Sequence, residues 1–295
     1  MLALSVDIQP PKGRRCRGGR GWREPRRLGR FGAFRGVKIE MRADSEGPIE
    51  AMEAGAAARD LDLKSLARAQ ALVTRIVAER HDRPSLVARI ASETGAEIIE
   101  GIRRPGDDLN SVELSKRYRT SRTPIREALM LLEKEGLVDV PPRKRPRVAS
   151  PALAEIREIY RARAVLFEMI AADVAAAITP EGLQALREHF AAMEAAHRAG
   201  DLNGFVWANV DFYELNTQLA SNRTVKRILD SLLLRTARLR RLSLSQPGRM
   251  ARSFDDHARL IKAYEDGDPQ LAAALIRSNH INALAALEGY LLKAG

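Results

Sequence analysis

The chain has 295 residues, 45% of them apolar and 29% charged, enough to bury a sizeable core and long enough for two domains. Aromatic residues make up only 5%, and the recurrence of Ala, Leu, Arg and Glu favours helices over a β-sandwich or barrel. A single cysteine, Cys16, excludes a disulfide framework and a cysteine-based zinc site, and charges interrupt every apolar stretch before membrane-spanning length.

The net charge is +11, which points to nucleic acid or an anionic surface. Residues 1–40 hold 11 Lys/Arg against 3 Asp/Glu, so +8 of the excess lies there. That stretch is rich in Gly, Arg and Pro and has no helical or strand period, as expected of a segment that cannot offset its ordering entropy. Three readings stay open for it: a nucleic-acid-binding arm, which would make RNA binding a rival function; translated upstream sequence with the natural start at Met41 or Met52; or a transit peptide. With no secretory apolar region near Met1, a reducing cytoplasm is the expected location.

The chain divides into a basic tail and linker over 1–60, an amphipathic helix over 61–83, a compact unit over 84–150 and a helical unit over 151–295. Residues 66, 69, 72, 73, 76 and 77 are apolar at helical spacing. In the next unit a first helix from Leu86 to Gly101 places Val87, Ile90, Ala91, Ile98, Ile99 and Ile102 inward. After the turn Arg104-Pro105-Gly106-Asp107, a short helix opens at Ser111, read as its N-cap, and buries Leu114. A third helix follows, capped by Ser121 or Thr123, with Pro124 in its first turn and Gly136 at its end. Ile125, Ala128, Leu129 and Leu132 face the core, and Leu137 to Val140 alternates like a strand. The basic segment PPRKRPR and Val148 then close a wing.

Helix, helix, tight link, helix and two-stranded wing make a winged helix-turn-helix. Its third helix offers Ser121, Arg122, Thr123 and Arg126 to duplex DNA, the two arginines four residues apart on one side. Guanidinium forks suit guanine O6/N7 or phosphate, and the helix N-terminus suits phosphate. Arg143, Lys144 and Arg145 on the wing can reach the backbone or minor groove.

The run ELSKRYRTSRTPIREAL…LEKEGLV, within residues 113–138, resembles the N-terminal domain of GntR-type bacterial transcription regulators. The resemblance makes Arg122 and Arg126 DNA-contacting arginines and Thr123 a phosphate-contacting hydroxyl. Two positions depart from the family pattern: Val112 stands where a basic residue often precedes the Glu-Leu, and the wing has no tip glycine.

From 153 to 292 the sequence reads as six helices, about 153–178, 180–199, 202–220, 223–244, 248–266 and 268–292, punctuated by Thr179-Pro180, Gly200-Asp201, Ser221-Asn222, Gln246-Pro247 and Gly267-Asp268. Six helices behind such a reader are similar to the FCD domain of the FadR subfamily, in its VanR-type branch. The fold expected is therefore mainly α, a winged helix-turn-helix followed by a six-helix bundle.

That resemblance implies a small-molecule effector and a homodimer on double-stranded operator DNA, repressing more often than activating, with no membrane partner and no enzymatic activity. Many FCD domains hold a divalent metal such as zinc through an Asp and a His four apart plus two further histidines. On this chain those positions are Asn209, Tyr213, His257 and His280, so two imidazoles remain, with Asn209 a neutral oxygen donor; Glu214 is the one carboxylate beside the missing pair able to substitute. The alternative is a metal-free polar pocket in which Asn209, Tyr213, His257 and His280 bond an organic effector directly and Arg163 pairs with its carboxylate. A third reading leaves both histidines as core residues and Arg163 as a structural ion-pair partner. His81, His189 and His197 read as surface residues. The enzyme alternative, a di-iron bundle, needs two Glu-x-x-His pairs, and only Glu194 with His197 is present.

Overall fold

A computed structural model describes residues 63–80 and 86–294. The expectations for residues 1–60 and for His81 lie outside the described residues. Ten helices and one two-stranded sheet make up the described chain.

The first helix, α1 (Leu63–Arg80), buries Ala69, Leu72, Val73, Ile76 and Val77 against α2 (Leu86–Ile99). Gly95 permits the approach: a Cβ there would stand 3.0 Å from Val73 Cγ1 and 3.1 Å from Leu132 Cδ2. The short α3 (Ser111–Arg117) is capped by Asn110, whose side chain accepts from the Val112 N–H, so the cap falls one residue before Ser111. Ile102, placed inward by periodicity, is 42% exposed because the helix has ended and the chain turns at Gly101, φ +74°.

Arg119, at φ +49°, makes the tight link into α4 (Arg122–Lys134). Ile125, Ala128, Leu129 and Leu132 of α4 are buried. Strands β1 (Val138–Asp139) and β2 (Arg147–Val148) pair antiparallel, Val138 opposite Val148. Arg143 turns the wing in the left-handed conformation, φ +59°, which accounts for a tip without glycine.

Six helices follow: α5 (Leu153–Ala177), α6 (Pro180–Ala199), α7 (Leu202–Leu219), α8 (Arg223–Leu244), α9 (Arg249–Glu265) and α10 (Pro269–Ala294). Their starts are written locally. Thr179 caps α6 ahead of Pro180, Asp201 caps α7 and Asn222 caps α8 through side-chain oxygens, and Gly200 closes α6 at φ +65°. The long α5 and α10 pack along each other, and α6 and α7 form a hairpin beside them.

The centre of this domain is α8. Residues 236–241 are buried on every side, three of them arginines. Trp207, Val210, Leu234 and Ala237 from α7 and α8 share one apolar cluster with α1 to α4, so the reader and the bundle have a continuous core. Polar ties reinforce it. Arg75 of α1 makes a two-pronged bond to Glu214 of α7, at 2.6 and 2.9 Å, and Arg68 pairs with Asp211. Arg241 of α8 reaches Glu100 at 2.5 Å, and Ser65 accepts from Trp207 and donates to the same Glu100 oxygen. Among the described residues no helix is long and apolar enough to cross a membrane.

Candidate nucleic-acid interface and effector pocket

Core packing fixes what α4 shows to solvent. With Ile125, Ala128, Leu129 and Leu132 turned inward, Arg122, Thr123 and Arg126 are exposed at its N-terminal end beside Ser121. Ser121 occupies the N-cap position, but its hydroxyl makes no capping bond, so the first-turn amides stay available to an anion. The expectation of a side-chain cap from Ser121 or Thr123 does not hold.

Arg143, Lys144 and Arg145 are exposed on the wing, which puts both predicted basic groups on one unit. Arg145 lies 3.4 Å from Asp108, an exposed pair worth little and open to exchange for phosphate. Behind them, Glu97 of α2 accepts from Arg103 at 2.6 Å and from Arg117 at the end of α3. Burial pushes the Glu97 carboxyl up, but the bonds from Arg117 and Arg103 outweigh it and hold it below the usual carboxylate range.

The second site is a pocket inside the six-helix domain. All five residues predicted there are buried and close together. Arg163 of α5, Asn209 and Tyr213 of α7 and His280 of α10 line it, and His257 of α9 stands directly behind Asn209. Rings organise the wall: Phe167 stacks on His280 at 4.9 Å, and Tyr213 meets His257 and His280 edge-on at 5.5 and 5.2 Å. The cavity is small, about 30 Å³, room for a water or two.

Sequence reasoning missed most of the lining, naming four of its thirteen residues. Tyr160, Arg240, Arg249 and Asn279 also face the pocket. A signal was present: residues 235–250, RTARLRRLSLSQPGRM, hold five arginines and no acidic residue.

The donor set does not fit a divalent cation. His257 Nδ1 donates to the Ser253 carbonyl at 2.6 Å, leaving Nε2 to accept from the Asn209 amide at 3.2 Å. Asn209 therefore presents N–H, not oxygen, at the metal-ready atom. Burial lowers His257 to a pKa of about 4, and burial with the nearby Arg163 charge lowers His280 well below its ordinary value. Tyr213 is pushed the other way by burial, to about 12, so its phenol stays protonated. Glu214, the expected substitute, is held by Arg75 on α1. Among the described residues no three His, Cys, Asp or Glu side chains are placed to share an ion.

Two other expectations change. His197 is half-buried rather than on the surface, stacked on Phe254 at 4.9 Å, and its would-be partner Glu194 bonds Arg198 instead. His189 is also only partly exposed.

Comparison with known proteins agrees with this division. Residues 86–148 match the family described as bacterial regulatory proteins, gntR family, and residues 158–283 match the FCD domain. An uncharacterised HTH-type transcriptional regulator of Bacillus subtilis, YdhC, is 31% identical over 134 residues, 45% of this chain and 60% of that protein. The gluconate operon transcriptional repressor of Bacillus licheniformis is 27% identical over 207 residues, 68% of this chain and 83% of that protein. Among solved structures, a GntR regulator from Rhodococcus sp. RHA1 superimposes with a TM-score of 0.59 at 20% identity, covering 69% of this chain and 97% of that one, a likeness of fold. The relatives are regulators, not enzymes. A winged reader joined to a six-helix bundle, matched by both family descriptions in this order, means that the chain belongs to the GntR family of transcriptional regulators with an FCD domain.

Proposed function

We propose that the chain is a cytoplasmic, sequence-specific DNA-binding repressor that works as a homodimer, with its operator affinity set by a small organic anion in the helical domain. The observation that carries the reading is the pair of outward guanidiniums, Arg122 and Arg126, at the uncapped N-terminal end of α4. Arg122, Thr123 and Arg126 enter the major groove, Ser121 and the first-turn amides take phosphate, and the wing cations take the neighbouring backbone. Two-fold pairing sets two such helices about one helical turn of DNA apart. The name of the gluconate operon repressor supports a repressing role.

Helix α8 supplies the coupling. Its Thr236, Arg240 and Ser243 line the pocket, while Arg241 reaches Glu100 just after α2 and Arg235 lies against Gly136 just after α4. With room for only a water or two, the pocket must part its walls to admit an effector, and α8 is one of those walls. An effector that binds the parted arrangement better shifts the population towards it, and with it the reader.

The test is a gel shift on the DNA upstream of the chain's own gene. Arg126→Ala should cost about 1–3 kcal/mol of specific binding, roughly 5- to 150-fold, if the side chain reads a base. Unchanged affinity would sink the reading.

A further inference from the structure

The pocket is unbalanced in charge. Guanidinium groups enter it from Arg163 on α5, Arg240 on α8 and Arg249 on α9, and no Asp or Glu lines it. They are 3%, 8% and 6% exposed. Much of their donor capacity is unspent: Nη1 of Arg240, and both Nε and Nη1 of Arg249, have no hydrogen-bond partner. Nη2 of Arg249 donates to the carbonyl of Asn279, at 3.1 Å, and to its side-chain oxygen, contacts that aim the group without neutralising it. Arg163 and Arg240 lie over ring faces, 5.0 Å from Phe167 and 5.3 Å from Tyr213.

The carboxylates close by are engaged elsewhere. Asp211 pairs with Arg68, and Glu214 with Arg75. Asp256 is only partly buried, accepts from Asn282 at 3.5 Å, and acts on Arg249 through space without forming an ion pair with it, so its counter-charge is partial. Buried cations without counter-charge are costly, and unspent donors inside a pocket add to the cost. An anion of two charges removes both penalties at once.

We propose that the pocket is a metal-free receptor for a small dianion, with Arg163, Arg240 and Arg249 supplying the positive charge that a bound divalent cation would otherwise supply. This rests on the regulatory reading above and gives its effector a chemical class: two carboxylates, or one phosphate group, on a short skeleton. Guanidinium forks match either oxyanion in two-pronged geometry. The Asn209 amide, the Tyr213 hydroxyl and His280 remain to read the polar groups between.

The test uses the full chain, stripped with EDTA and dialysed, in thermal melts and titration calorimetry. The probes are succinate, inorganic phosphate, and acetate as the singly charged control. At ten times its Kd a dianion should raise the melting temperature by about 3–5 °C, with acetate far weaker. Succinate alone or phosphate alone decides between the carboxylate and phosphate forms. Arg240→Met and Arg249→Met should each weaken the dianion at least tenfold. Ligand-free Arg240→Met should melt at or above the unaltered protein, since it loses an uncompensated charge. A shift that requires added zinc, equal effects of acetate and dianions, no shift with either dianion, or an Arg240→Met protein melting well below the unaltered one would each overturn the proposal. Operator binding of the unaltered protein, measured without any anion, decides the regulatory reading separately.

Discussion

Replacing Arg241 by Met strikes the joint between the DNA reader and the helical bundle. Arg241 and Glu100 are only 6% and 7% exposed at their side chains and lie 2.5 Å apart. Without the guanidinium, Glu100 keeps one donor, the Ser65 hydroxyl at 2.8 Å, and its other oxygen already lacks a partner. Removing one member of a buried pair strands the other, at a cost of about 3–5 kcal/mol. Against a total stability of about 5–15 kcal/mol that is a large share. In urea, with an m-value of about 2–3 kcal/mol per molar, the midpoint should fall by about 1–2 M. The double variant Arg241→Met with Glu100→Gln removes the stranded charge and should recover most of the loss, which a double-mutant cycle measures directly. A single-variant loss below about 1 kcal/mol would show that water reaches the pair in solution, and the reasoning would fail.

Other consequences follow from packing and charge. Gly95→Val presses into Val73 and Leu132, which already stand 3.0–3.1 Å from a Cβ at that position; overpacking should cost about 1–3 kcal/mol, read as a lowered melting temperature. Lys144→Ala should leave sequence preference alone and reduce the slope of log affinity against log salt by about 1. Stability should also depend on pH through the pocket histidines. The unfolded His257 imidazole takes a proton near pH 6.5 and the folded one only near 4. Stability is therefore fully present above pH 6.5 and is lost as pH falls towards 4, by about 3 kcal/mol from this residue, with His280 adding in the same direction. Urea midpoints measured from pH 7.5 to 4.5 check it, and a flat profile, or one unaltered in His257→Gln, would contradict the assignment.

The elements that sequence made legible are those set by local spacing. The period of Ile125, Ala128, Leu129 and Leu132 fixed the buried face of α4, and with it the outward face, because a helix has one geometry. Breaks such as Thr179-Pro180 and Gly200-Asp201 located the bundle helices because caps act within three residues. The interior of the bundle was less legible. Glu214 read as a spare carboxylate because its partner, Arg75, stands 139 positions away. Arg240 and Arg249 drew no reading at all, since polar periodicity alone cannot distinguish a solvated stripe from a lined pocket. The fivefold run of arginines without a local acid was the one available hint. The missing wing glycine shows the opposite case: the pattern was broken, yet Arg143 adopts the backbone conformation itself.

Because α8 serves two neighbours from one short stretch, its residue count is constrained more tightly than its composition. Each residue turns a helix by about 100°. Deleting one near Leu239 would swing everything beyond it by that angle, carrying Ser243 out of the pocket wall and Arg241 off Glu100. Conservative exchanges along 235–243 can be absorbed one at a time, whereas any change in length there breaks the contacts with the pocket or those with Glu100. The turns at Gly200-Asp201 and Gly267-Asp268 carry no such double duty, and insertions there should be tolerated.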